Sequence, residues 1–251
     1  MKQLEILDLI VRFKNIWSVC AITGLSLAYP FLASAQSDWG YTGSIGPEYW
    51  GDIKKKYLIC KVGRLQSPVD LRNVSVQKSN PIHFMYEPFE MSLHDNGHTL
   101  IVDTGESGSV RIGPNRFELL QFHFHAPSEH LKEGIAYPME IHFVHKDDKG
   151  NLAVLGLLVK EGAANPFIDQ VWNSEKTTGE VFNPYLLLPG DRSYFHYIGS
   201  LTTPPCSENV NWNVFVEPIE LSKGQIDFFR TRYTKNARPV QRLFNRKISS
   251  Y

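Results

Sequence analysis

The sequence predicts a mainly β, single-domain protein with short peripheral helices, on three observations. Strand-like runs occur over 82–86, 90–94, 98–103, 117–125, 138–145, 152–160 and 210–217, separated by turns rich in Gly, Pro, Asn and Asp. Helix-start signals occur at only two places. No internal repeat, low-complexity tract or linker interrupts the chain after residue 35. With 251 residues, one large core is the natural outcome.

Each helix has a local cause. Asn165-Pro166 supplies a capping side chain followed by proline at the first helical position, opening 166–173. Ser222-Lys223-Gly224-Gln225 has the form of a capping box, opening 223–232. Residues 1–35 read as a secretory signal peptide, with 36–251 as the mature domain. Arg12 and Lys14 are followed by an uncharged, largely apolar run, and Ala33-Ser34-Ala35 fits the small-x-small cleavage rule. Glu5 and Asp8 are atypical of a leader. The run is nearly long enough to span a bilayer, so an uncleaved anchor is the alternative; Pro30 and the Ala-Ser-Ala end favour cleavage. The expected location is periplasmic or secreted, with no stable membrane insertion after cleavage.

Cys20 would leave with the leader, and Cys60 and Cys206 remain as an even pair. An oxidising compartment suits a disulfide, and two buried thiols are the other reading. The formal net charge of zero argues against a nucleic-acid partner. The locally basic C-terminal segment, which includes Arg238, Arg242, Arg246 and Lys247, reads as a solvated face.

The chemistry concentrates in two segments. In Gln121-Phe122-His123-Phe124-His125, strand alternation puts Gln121, His123 and His125 on one face and Leu120, Phe122 and Phe124 on the other. In Glu140-Ile141-His142-Phe143-Val144-His145, Glu140, His142 and Val144 share a face. If the two strands pair, His142 completes a three-histidine set with one open position, as catalytic zinc requires. Imidazole also suits Cu, Fe and Ni, so donor type alone does not fix the metal. Gln121 and Glu140 stand where they can accept the spare N–H of His123 and His142 and so orient the rings.

With these motifs the chain resembles an α-class carbonic anhydrase over nearly all of its mature length. The matching stretches include Trp39-Gly40-Tyr41, Gln66-Ser67-Pro68-Val69-Asp70, Asn96-Gly97-His98, Ser128-Glu129-His130, Ser200-Leu201-Thr202-Thr203-Pro204-Pro205 and Arg238-Pro239-Val240-Gln241, besides the two histidine segments. The short run His125-Ala126-Pro127-Ser128-Glu129-His130 is similar to bacterial members. The resemblance implies a central ten-stranded, mostly antiparallel twisted sheet and a Cys60–Cys206 disulfide. It implies Zn2+ on His123, His125 and His142, and reversible hydration of CO2 to bicarbonate and a proton by zinc hydroxide. It gives Thr202 and Glu129 the task of orienting the nucleophile and His98 that of a proton shuttle, with Tyr41 and Asn96 ordering waters. Val144, Val154, Leu201, Thr203 and Trp212 would line the substrate pocket. Ile101 departs from the family, standing where relatives usually place a polar residue on the shuttle path. His83, His94, His145 and His196 are expected to be non-ligands, and His130 a structural hydrogen-bonding residue.

Two other readings compete. His123-x-His125-x₃-Glu129 matches the core of the first motif of cupin-type metal oxygenases, but Phe117 and Ala136 occupy the places of its flanking glycines and no second motif surrounds His196. A non-catalytic binding module on the same fold would be expected to lose zinc-binding histidines, and all three persist. The only expected partner is the small substrate, and the protein is a monomer or a homodimer.

Overall fold

The computed structural model describes residues 38–78, 80–105, 107–174 and 181–251. The signal peptide assigned to residues 1–35 lies outside the described residues. Among these residues no helix is long and apolar enough to cross a membrane.

Six strands carry the architecture: β1 (Leu100–Asp103), β2 (Asn115–His125), β3 (Met139–Lys146), β4 (Leu152–Glu161), β5 (Tyr194–Ser200) and β6 (Glu208–Phe215). They lie in the order β1-β2-β3-β4-β6-β5 within a twelve-stranded sheet. Most pairs are antiparallel, but β4 and β6 run parallel at its centre. The sheet is therefore mixed and two strands wider than the ten expected. Short edge segments such as Ser75–Val76 and Ser249–Ser250 extend it, and they carry too little apolar pattern to be read in advance.

One face of the sheet holds the larger core. Phe122, Phe124, Ile141 and Phe143 are fully buried there. Each such side chain contributes about 2–3 kcal/mol by leaving water. The helices α1 (Pro166–Asn173) and α2 (Lys223–Arg232) begin where their capping signals predict. They bring Trp172 and Phe229 against Phe124, with ring centroids 4.6 and 5.8 Å away.

The expected face assignment fails at one residue. Leu120 does not join Phe122 and Phe124 in the core but is 37% exposed. The β2–β3 register slips between Val144 and His145, so Val144 opposes Gln121 while His145 opposes Leu119. Leu120 is the extra residue of a bulge, and the inward set continues on Leu119 and Phe117.

The basic C-terminal segment is also not uniformly solvated. Arg238 is buried, donating to Gln66 Oε1, Ser67 O and Cys60 O at 2.8–2.9 Å, and Arg246 donates to the carbonyls of Gln66, Ile198, Arg242 and Leu243. Burial of a guanidinium is tolerated here because fixed carbonyl and amide oxygens receive its N–H groups.

Cys60 and Cys206 form a disulfide across 146 residues of sequence. The bond fastens the Thr202-bearing loop to a cluster containing Trp50 and Tyr57. Closing so long a loop contributes about 5 kcal/mol on the chain-entropy account. The Cys60→Ser/Cys206→Ser double variant is accordingly expected to unfold at a markedly lower urea concentration. An unchanged midpoint would contradict this.

Candidate metal centre

The ladder register assembles the site. Across β1, β2, β3 and β4 one row reads Ile101, His123, His142, Gly156. The next reads Gln121, Val144, Val154, Trp212, Tyr197 across β2, β3, β4, β6 and β5. His125 opposes Glu140 in a third. Paired residues point to the same face, so hydrogen bonding of the backbone alone brings three imidazoles together. Gly156 keeps the space beside Glu140 open, since a Cβ there would lie 3.1 Å from Glu140 Oε1.

Each ring has one nitrogen tied. His123 Nδ1 bonds Gln121 Oε1 at 2.9 Å, His125 Nδ1 bonds the Asn236 carbonyl at 2.7 Å, and His142 Nε2 bonds Glu140 Oε1 at 2.9 Å. All three acceptors lack a proton, so each tied nitrogen is the donor. The remaining nitrogens, Nε2 of His123, Nε2 of His125 and Nδ1 of His142, are lone-pair donors. The three residues offer ligand atoms within 4.8 Å of one another. His125 Nε2 is fully buried with no hydrogen-bond partner. A buried, orphaned lone pair aimed at two others is what a metal ion would satisfy, and three nitrogens leave room for a further ligand. Burial, and secondarily the neighbouring histidines, holds His123 well below its ordinary pKa; burial also lowers His142 and brings His125 down to about 4. All three are thus neutral at pH 7, the form that binds metal.

His130, Glu140 and His142 also cluster closely enough to be considered for a metal. Their atoms are already spent on one another. Glu140 Oε1 takes His130 Nδ1–H at 2.7 Å as well as His142, and Oε2 takes the backbone N–H of Glu129 and His130 at 2.9 and 2.8 Å. His130 Nε2 bonds Tyr197 OH at 2.7 Å, and Tyr197 OH bonds Ser67 Oγ at 2.8 Å. Burial pushes Glu140 upward, but the ring N–H groups of His130 and His142 that it accepts outweigh burial and hold the carboxylate well below its ordinary pKa, hence ionised. This cluster is a hydrogen-bonded support.

A family model for eukaryotic-type carbonic anhydrases matches residues 45–251. The chain belongs to that family. It is 39% identical over 224 residues to a carbonic anhydrase of Nostoc sp., covering 84% of this chain and 85% of that protein. Among solved structures it resembles the α-carbonic anhydrase of Thermovibrio ammonificans in complex with the inhibitor sulfanilamide. That match has 45% identity and a TM-score of 0.79, and covers 84% of this chain and 98% of that one. A hyperthermostable carbonic anhydrase from a hydrothermal vent chimney matches at 44% identity and a TM-score of 0.80, over 84% and 99% of the two chains. Membership in this family of enzymes removes the cupin reading.

The other expected residues fall as follows. Glu129 is fully buried, with Oε1 accepting the Arg238 backbone N–H at 2.8 Å and Oε2 3.5 Å from His125 Nε2 and 3.9 Å from His142 Nδ1. Burial pushes its pKa up to about 7, against the pull of His142, the Arg238 N–H and the Thr202 hydroxyl. Thr202 lies close to Glu129, whose Oε2 is buried without a hydrogen-bond partner. Val144, Val154 and Trp212 are buried in one cluster with Leu201 packed on it, and Thr203 accepts the Cys206 N–H at 2.8 Å. His98 stacks flat on Trp39, with centroids 3.6 Å apart, and stands 6.4 Å from the half-buried Tyr41 ring. Burial lowers its pKa, partly opposed by Asp95. Asn96 Oδ1 is taken by the backbone N–H groups of His98 and Thr99. Ile101 lies directly across the ladder from His123.

Sequence reasoning missed Asn236. This buried residue orients His125 through its carbonyl, and its side chain bonds Ala126 N, Phe124 O and His98 O. It lies 111 residues from His125, and no local pattern marks it.

His145 belongs to neither group of residues close enough to share a metal ion among the described residues. It is fully buried, its Nε2 bonded to Tyr86 OH at 2.7 Å, and burial brings its pKa down to about 3. A histidine neutral in the fold but protonated when unfolded lowers stability as pH falls. Stability should therefore decline from about pH 6.5, the unfolded value, toward pH 3. Urea midpoints across that range test this, and the decline should be shallower in His145→Gln.

Proposed function

We propose that the protein catalyses reversible hydration of CO2 to bicarbonate and a proton, with Zn2+ held by His123, His125 and His142. The convergence of three neutral, tautomer-fixed ring nitrogens carries this reading, and family membership supports the reaction. A zinc ion in that position supplies Lewis acidity that lets water ionise near neutral pH; carbonic anhydrase is itself the standard example of this effect.

The chain's own residues do the rest. Glu129, kept ionised by a neighbouring cation, only accepts hydrogen bonds, so it takes the Thr202 hydroxyl proton. The Thr202 oxygen then has its lone pairs free to accept a hydrogen from the attacking oxygen and fix its orientation. Val144, Val154, Leu201 and Trp212 form an apolar wall that receives CO2 and excludes water, and Thr203 lines the same cavity. His98 carries the product proton outward, since an imidazole titrates within reach of neutral pH. Tyr41 and Asn96 hold waters along that route. Ile101 offers no hydrogen bond beside His123, which points to a slower relay than in relatives with a polar side chain there. The leader places the enzyme outside the cytoplasm, in the periplasm or secreted, acting as a monomer or homodimer.

Residues 36–251 should hydrate CO2, lose the activity on chelation, and regain it when zinc returns, as followed with a pH indicator. Folded, zinc-loaded protein without activity would refute the proposal and favour a binding role. His98→Ala should slow turnover most in dilute buffer, with added imidazole restoring the rate. An unchanged rate in dilute buffer would remove His98 from the mechanism.

A further inference from the structure

A second charged site lies away from the histidines. Arg192 lines a cleft of about 440 Å³ that shares no lining residue with the metal centre. Its guanidinium stacks over the rings of Tyr185 at 5.0 Å and Phe84 at 5.7 Å. Nη1 is fully buried and has no hydrogen-bond partner. Among the described residues no carboxylate lies within ion-pair distance of Arg192. Among the described residues its Nε and Nη2 make no hydrogen bond, and neither is a buried unpartnered atom, so they are available to a ligand in the cleft that Arg192 lines.

The adjacent acid does not compensate this charge. Both Asp191 oxygens are taken by Ser193, Oδ1 by its N–H at 2.8 Å and Oδ2 by its hydroxyl at 2.9 Å. Glu217 is turned to the Asp191 N–H at 2.7 Å. The guanidinium lies over two rings that contact each other edge-on, with Nη1 turned out of water, which leaves the Nε–Nη2 edge as the part open to an anion. Its open edge is the planar two-donor fork that matches a carboxylate. Exposed Pro81 and partly exposed Tyr251 continue the cleft with apolar and aromatic surface, over the buried Ile82 and Tyr194.

We propose that this cleft binds an aromatic carboxylate, the carboxylate on the Nε–Nη2 edge of Arg192 and the ring along the wall of Pro81 and Tyr251. The site is separate from the metal centre and independent of the proposed reaction. Arg192 takes no part in the catalytic machinery, so its substitution should leave CO2 hydration unchanged.

Benzoate is the probe, titrated into the full folded protein and followed by ligand-observed NMR, with benzamide as the uncharged analogue. Benzoate should bind with a millimolar Kd, in keeping with its few heavy atoms. Arg192→Gln should weaken it by about tenfold or more, the loss of a bidentate charged pair. Benzamide should bind more weakly and equally to both proteins. If Arg192→Gln fails to fold, Tyr185→Ala, at a 45% exposed ring, should also weaken benzoate. Equal benzoate affinity in wild type and the substituted protein would put the anion elsewhere, at the metal centre for instance, and overturn the proposal. No binding to wild type at tens of millimolar would overturn it too.

Discussion

The structure turns on the buried carboxylate of Glu140. It receives four N–H groups: two ring nitrogens, from His130 and His142, and two backbone amides, from Glu129 and His130. An ionised carboxylate is acceptor-only, so the proton positions around it are not free. His142 must carry its proton on Nε2, leaving Nδ1 as a lone pair. His130 must carry its proton on Nδ1, so its Nε2 accepts from Tyr197 OH. Tyr197 in turn accepts from Ser67, whose oxygen receives the Ser200 N–H at 3.0 Å. The chain of donors points from the Ser200-Leu201-Thr202 segment back to Glu140. One charge thereby fixes a histidine tautomer and anchors the loop that presents Thr202. Such a network stabilises when every member is satisfied and is costly when one is missing.

Around that centre the sheet separates two jobs. The face carrying Phe122, Phe124, Ile141 and Phe143 packs under α1 and α2 and supplies burial. The opposite face carries the histidines and the cluster of Val144, Val154 and Trp212. Rows of paired residues across β1 to β6 convert backbone register into site geometry, and a one-residue slip through the histidines would undo it. The slip that does occur falls at Leu120, before Gln121, so the site keeps its register while the strand end turns outward. The disulfide and buried Arg238 then tie the Thr202 loop and the Glu129 segment to the rest of the domain.

What the sequence made legible was the local part. Period-two alternation located β2 and β3 and assigned His123, His125, His142, Gln121 and Glu140 to the right faces. The caps Asn165 and Ser222 set the starts of the two longer helices, whereas the short helices Trp50–Ile53 and Ile59–Val62 have no side-chain cap and went unread. Leu120 escaped because a bulge depends on how two strands pair, which the pattern of one strand does not contain. Asn236, Tyr197 and Ser200 escaped because their roles arise from contacts far apart in sequence. The reach of Arg238 to Cys60, Gln66 and Ser67 was hidden for the same reason, and its positive charge suggested solvent instead. The mostly antiparallel sheet was expected, but which strands pair in parallel was not legible, because the pairing of β4 with β6 leaves no signature in either strand alone.

The central claim is that hydrogen-bond acceptors set which nitrogen of each histidine is free for the metal. Ring-nitrogen NMR of metal-free protein labelled with 15N-histidine, at neutral pH, reads this directly. The account predicts Nδ1–H tautomers for His123 and His125 and an Nε2–H tautomer for His142. Zinc should then shift Nε2, Nε2 and Nδ1 of these rings respectively. An Nδ1–H tautomer at His142, or a metal-induced shift on its Nε2 instead, would contradict the account.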